Sequence, residues 1–163
     1  MTDVLSPEQR RLNMSRIRGR DTKPEVIVRK ALHAIGLRYR LHMRSLPGTP
    51  DLVFPKHSAV VFVHGCFWHC HADCPSFKLP ATRPDFWRSK LSGNVRRDME
   101  ASSALNEAGW RVLTIWECAL TGPRKLPLDD LTREVRGFLA ARVTGPVEMS
   151  IPGATTGRRS RKE

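Results

Sequence analysis

No window of the 163-residue sequence approaches the roughly 20 consecutive apolar residues that a bilayer span requires, and the first thirty residues hold no apolar run long enough for a secretory leader. That lack excludes a membrane-spanning helix, and a cytosolic location is expected. Acidic residues are scarce too: 16 Asp and Glu stand against 28 Lys and Arg, a net charge of +12. Residues 158–163 hold four basic side chains and one acidic one, so the rest of the chain still carries about +9. A merely solubilising charge would be scattered, but this one is bunched. Between Arg10 and Arg44 eleven basic residues face two acids, and between Lys78 and Arg97 six face one. Such a field favours polyanions through steering and counterion release, nucleic acid ahead of an anionic membrane surface. Cysteine is sparse at four residues. In a reducing compartment these are free thiols or metal ligands rather than a disulfide framework. Internal repeats are lacking as well.

What is present suits one α/β domain over residues 1–143, followed by a basic, Pro/Gly/Ser/Arg-rich tail, 144–163, expected to be disordered. Ser6-Pro7-Glu8-Gln9 reads as a capping box opening a helix to about Arg18, and Thr22-Lys23-Pro24-Glu25 as a second, its helix stopped by Gly36. Alternating Tyr39, Leu41 and Met43 predict a strand. Leu52 to Phe54 and Ala59 to His64 predict a hairpin, and 110–116 a further strand. A long helix is expected over 84–108 with Phe86, Leu91, Val95, Met99 and Leu105 inward, and a last helix over 129–143. This order calls for a mixed sheet with helices on both faces.

Residues 65–83 fit neither element. Cys66, His69, Cys70, His71 and Cys74 crowd into this loop, and Cys118 follows the 110–116 strand. A structural zinc site takes four tetrahedral Cys or His ligands, so a loop cluster and one distant thiol would pin the loop to the sheet. Five loop candidates and Cys118 exceed a tetrahedron, so at least one is left over for other chemistry. The hairpin is expected to set Asp51 and His64 side by side at one sheet edge. Phosphodiester hydrolysis needs a metal to polarise the phosphate, a base for water and cations for the developing charge, and Asp51, His64 and His69 can supply the first two parts.

Taken together, Asn13 to Ile17, Arg20-Asp21-Thr22, Leu46 to Asp51, His64 to His69, Pro80 to Arg83, Asn94-Val95 with Arg97-Asp98, Gly109 to Leu113 and Trp116-Glu117-Cys118 resemble the very-short-patch-repair (Vsr) endonuclease family, over roughly Leu12 to Gly122. The resemblance implies a restriction-endonuclease-like fold with a zinc-stabilised loop. It also implies a monomeric, nucleoid-associated enzyme that nicks one strand 5′ of the thymine in a T:G mismatch with Mg²⁺, with duplex DNA as partner and repair proteins beside it. Asp51 and the carbonyl of Val63 match the Mg²⁺ contacts, His69 the general base, and His64 and Glu25 further active-site groups. Cys66, His71, Cys74 and Cys118 match the zinc ligands. Phe67, Trp68 and Trp87 match aromatics that wedge into the base stack, Met14 and Ile17 approach the opposite groove, and Asn94, Arg16 and Arg20 are further expected DNA contacts. The chain departs from the family pattern in an added thiol, Cys70, which competes with Cys74 for the zinc, and in Val63, which has no hydroxyl where the family has threonine. Two other readings suit parts of the sequence: a non-catalytic zinc-stabilised DNA-binding module, and a restriction or homing-type endonuclease acting on paired DNA.

Overall fold

Continuous apolar runs in the middle of the chain, buried on both faces, form the centre of a five-stranded sheet in a computed structural model that describes residues 5–17 and 19–155. The strands are β1 (Arg40–Leu41), β2 (Leu52–Phe54), β3 (Ala59–His64), β4 (Arg111–Trp116) and β5 (Glu148–Ile151), in that spatial order. The first three pair antiparallel, while β3, β4 and β5 are parallel. Every residue of β3 is buried, which is what a central strand covered on both faces requires.

Val61, Val63, Leu113 and Ile115 point to one face and pack with α2 (Lys23–Ala34) and α4 (Leu128–Ala140) through Val28, Leu32, Leu131 and Val135. Val60, Phe62 and Val112 point to the other and pack with Leu105 of α3 (Pro84–Glu107). A mixed α/β layer with helices on both faces is therefore present, as the order of elements implied. Helix α1 (Pro7–Ser15) buries no residue and lies outside this core. Its capping box forms as read, with Ser6 Oγ accepting from Gln9 N–H and Gln9 reaching back to Ser6 N–H, but the helix ends before the expected Arg18, itself outside the described residues.

Four expectations change. The strand around 39–43 shrinks to two residues because His42 turns to φ +45. Asp51 and His64 do not sit side by side: the register Leu52↔Val61 leaves His64 beyond the paired segment, and Asp51 meets the Val63 backbone instead. On α3, Met99 and Phe86 are 68% and 45% exposed, since the buried stripe runs through Leu91 and Leu105 and Met99 falls off it. The tail expected to be disordered from Thr144 is corrected for 148–151, which form β5 and bury Ile151 against the β4 edge. Polar Glu148 and Ser150 alternate with Met149 and Ile151 there, a signal too short to stand out from the Pro/Gly context. Residues 156–163 lie outside the described residues.

Gly48 sets how closely the 46–50 loop meets α3. Its φ is +71, and a Cβ there would lie 2.7 Å from Ala101 Cβ. Only glycine tolerates both. The contact lays α3 along the mouth of β2 and β3, where it borders a groove of about 1130 Å³.

Candidate active site

Asp51 stands at the head of β2, and its side chain is 15% exposed at the groove. Val63 N–H donates to Asp51 Oδ2 at 2.7 Å, so the β2–β3 pairing itself holds the carboxylate. Burial pushes its pKa up to about 7, with the charge of Glu25 adding to the rise and the Val63 bond, Arg29 and His69 opposing it. A buried carboxylate that resists ionisation alone is the kind of oxygen donor a divalent cation completes.

Glu25 is 3% exposed in the first turn of α2. Its Oε1 accepts from the Thr22 hydroxyl at 3.0 Å, and its Oε2 accepts from Asp21 N–H at 2.9 Å and from Arg29 Nη2 at 2.9 Å. The second capping box is thus rerouted, since Glu25 binds the Asp21 amide instead of the N-cap amide. Arg29 also donates to Asp21 Oδ1 at 2.6 Å, which holds the Asp21 carboxyl below the usual range.

His64 and His69 form the other half of the site. Their rings stack with centroids 3.8 Å apart and planes within 3°. Burial, with the charge of His69 added, drives the His64 pKa down to about 4, so this imidazole is neutral at physiological pH. His69 Nδ1 lies 2.6 Å from Asp98 Oδ2 on α3. The N–H at Nδ1 donates to the carboxylate, leaving Nε2 with a lone pair to accept a proton. A carboxylate-oriented imidazole beside a buried aspartate is the donor set of a hydrolytic site.

Phe67, Trp68 and Trp87 pack on one another, with Phe67 5.1 Å from Trp68 and Trp68 6.0 Å from Trp87. Phe67 and Trp68 line the groove, and Lys90 Nζ lies over the Trp68 ring at 5.6 Å. Asn94 Nδ2 donates to Trp68 O at 2.9 Å while its Oδ1 takes a bond from Arg97, so Asn94 secures the loop that carries the ring. Ile17 and Arg20 line the groove as well, whereas Met14 and Arg16, at the end of α1, stand outside its lining.

Behind the groove, Cys66, His71, Cys74 and Cys118 bring one ligand atom each within 4.8 Å of the others. Cys66 Sγ and Cys118 Sγ are each 3.5 Å from His71 Nδ1. Zn–S near 2.3 Å and Zn–N near 2.0 Å at the tetrahedral angle imply a ligand–ligand edge of about 3.5 Å, so the spacing fits zinc. Burial pushes the Cys66 thiol up to about 12, a cost that a bound cation removes. Cys70 stays out of the cluster, its backbone turned to φ +50 and its N–H bonded to Phe67 O. Trp116, stacked on His71 at 4.0 Å, and Phe77 cover the cluster, a place that Phe67 and Trp68 could otherwise have filled.

Sequence reasoning gave no site role to Asp98, although it stands in the family-like Arg97-Asp98 motif, and missed Arg29 and His42. Asp98 follows Asn94 by four residues on one helix face, a spacing that could have flagged it, and Arg29 stands likewise four after Glu25. His42 needed the sheet register.

Residues 2–75 match the family described as DNA mismatch endonuclease Vsr. The type II nicking enzyme V.XorIIP of Xanthomonas oryzae pv. oryzae is 51% identical over 121 residues, 74% of this chain and 88% of that protein. The DNA mismatch endonuclease Vsr of Escherichia coli is 45% identical over 139 residues, 85% of this chain and 88% of its own length. The type II nicking enzyme V.NmeAIP of Neisseria meningitidis is 38% identical over 138 residues, 83% and 98% of the two chains.

Proposed function

Because this chain belongs to the Vsr family of DNA mismatch endonucleases, we propose that it nicks one strand of duplex DNA 5′ of the thymine in a T:G mismatch, by Mg²⁺-dependent hydrolysis on a restriction-endonuclease-like fold. The observation that carries this reading is the convergence in one groove of Asp51, Glu25, His64, His69 and Asp98, with Phe67 and Trp68 at its wall. Asp51 and the Val63 carbonyl would hold Mg²⁺, which when bound polarises the phosphate. His69, oriented by Asp98 through Nδ1, takes a proton from water at Nε2. Neutral His64 stacks on His69 and fixes its plane. Arg20, Arg44 and Arg97, all at the groove, face the phosphate backbone. Phe67, Trp68 and Trp87 insert where a mismatched step unstacks at low cost. Cys66, His71, Cys74 and Cys118 would hold zinc, which when bound would tie the aromatic loop to the segment that follows β4.

The test uses end-labelled duplexes that differ only in a T:G or T:A pair, with Mg²⁺ or a chelator. A single nick 5′ of the thymine, confined to the T:G duplex and to Mg²⁺, is expected, and Asp51→Ala should abolish it while mismatch binding persists. Equal nicking of both duplexes would remove the mismatch reading in favour of action on paired DNA. Nicking by Asp51→Ala at the wild-type rate would remove the proposed metal site.

A further inference from the structure

Beside Asp51 lies a residue with no role in the reading above. His42 follows β1, and its N–H donates across the sheet to Asp51 O at 3.4 Å, which makes the two residues cross-strand neighbours. The ring is 19% exposed, with Nδ1 3.9 Å from Asp51 Oδ1 and Nε2 2.7 Å from Arg29 Nη2. A guanidinium can only donate, so Nε2 accepts and the ring proton resides on Nδ1, the nitrogen nearest the carboxylate. Glu25 Oε2 and Asp21 Oδ1 stand 3.6 and 3.8 Å from Nε2, on the same side as Arg29.

Asp21, Glu25 and His42 are close enough together to suggest a cation site of their own. Arg29 already fills it, with Nη1 on Asp21 and Nη2 shared by Glu25 and His42. These groups therefore anchor the ring rather than hold a metal. The carboxylate of Asp51 then has a neighbour at each oxygen, the Val63 amide hydrogen-bonded to Oδ2 and the His42 Nδ1 edge 3.9 Å from Oδ1, near enough to close to a hydrogen bond with a small shift.

We propose that His42, held in one tautomer by Arg29, is a positioning residue that keeps the Asp51 carboxylate turned to receive a divalent cation. The inference rests on the reading of Asp51 as a metal ligand. The backbone supplies a clean set of variants, because His42 sits at φ +45. Glycine adopts that conformation freely and asparagine better than most residues, so His42→Gly removes the ring without backbone strain, and His42→Asn keeps a donor at the Nδ1 position.

Mn²⁺ binding to the full-length, DNA-free protein, followed by calorimetry or electron paramagnetic resonance, is the readout, with nicking at varied Mg²⁺ as a second and melting temperature as a check on folding. Outer partners of metal ligands typically change affinity 10- to 100-fold. His42→Gly should weaken Mn²⁺ roughly 10-fold or more and raise the Mg²⁺ needed for half-maximal nicking by a similar factor, while His42→Asn stays within about threefold of wild type. A merely structural role would lower the melting temperature and leave the metal affinity of the folded fraction unchanged. Wild-type Mn²⁺ affinity in His42→Gly, or an equal loss in His42→Asn, overturns the inference. Asp51→Asn separates the two levels of the argument. If it abolishes Mn²⁺ binding, the reading of Asp51 stands whatever the His42 variants do; if it binds Mn²⁺ like wild type, that reading falls and takes the inference with it.

Discussion

Burial acts in opposite directions on the acid and the imidazole of this site, and that opposition gives each side chain its part. Asp51 ionises near 7 in the folded chain against 3.8 unfolded. Between those values the unfolded chain has released a proton that the folded one keeps, so in the metal-free protein stability falls as pH rises from about 4 to about 7 and levels off above. Asp51→Asn removes this liability and should raise the metal-free melting temperature at pH 8, by on the order of 5 °C. Mg²⁺ should stabilise wild type more at pH 8 than at pH 6 and leave the variant unmoved. Thermal melts at the two pH values decide, and a metal-free Asp51→Asn protein that melts no higher than wild type at pH 8 contradicts the burial argument. His69 depends on a partner 29 residues away, Asp98, for its tautomer. Losing a general base costs roughly 10²- to 10⁴-fold in rate, so His69→Ala should fall in that range and Asp98→Asn partway toward it, with duplex affinity unchanged in both. Single-turnover nicking measures this, and a wild-type rate in Asp98→Asn would detach the carboxylate from the reaction.

Among the elements, β5 and the 65–83 loop both lead to the Cys/His cluster. The chain leaving β5 passes over the Cys/His cluster, where Gly153 N–H donates to Cys118 Sγ at 3.2 Å and a Cβ on Gly153 would meet Cys118 O at 2.5 Å. Arg124 ties the same segment down by donating to Ala154 O at 2.6 Å and Gly153 O at 3.2 Å. Ending the chain at Pro146 removes buried Ile151 and the β4 pairing. A loss of about 2–3 kcal/mol follows from that burial, a melting drop of roughly 5–10 °C, together with faster release of zinc to a chelator. An unchanged melting curve would mean that β5 is dispensable. Cys118→Ser should cost more, because it frees the loop from the sheet: bound zinc measured by metal analysis should be lost and solubility should fall. A ring series leads onward from the cluster. His71 stacks on Trp116, Trp116 meets His64 edge-on at 5.5 Å, and His64 stacks on His69. Packed rings thus run without a break from the Cys/His cluster to His69.

For the whole molecule, charge and shape act on different properties of binding. On the proposed reading, bunched Lys and Arg contact phosphates on any duplex, whereas stacking of Trp68 is realised only where the duplex opens. Trp68→Ala should weaken T:G binding roughly ten- to a hundredfold, as a stacking energy of about 1–3 kcal/mol implies, and spare paired DNA and the salt slope. Arg20→Ala should weaken both duplexes alike and flatten the slope. Titrations at two salt concentrations separate the cases, and an equal loss on both duplexes for Trp68→Ala would reduce the ring to packing against Trp87. Most elements were legible in the chain, because capping boxes, short apolar runs bounded by turns and the α2 and α4 stripes are local patterns, and so were the basic bunching and the types of ligand present. The tertiary structure alone decided that Cys74 and not Cys70 joins His71 and Cys118, that Asp51 meets the Val63 amide rather than His64, that Asp98 meets His69, and that Arg29 meets His42. It also decided that 148–151 is a strand, since those residues acquire a pattern worth burying only beside the open edge of β4. Sheet register and the rotation of α3 about its axis are settled by packing across both faces at once, and no window of sequence contains the partners that fix them.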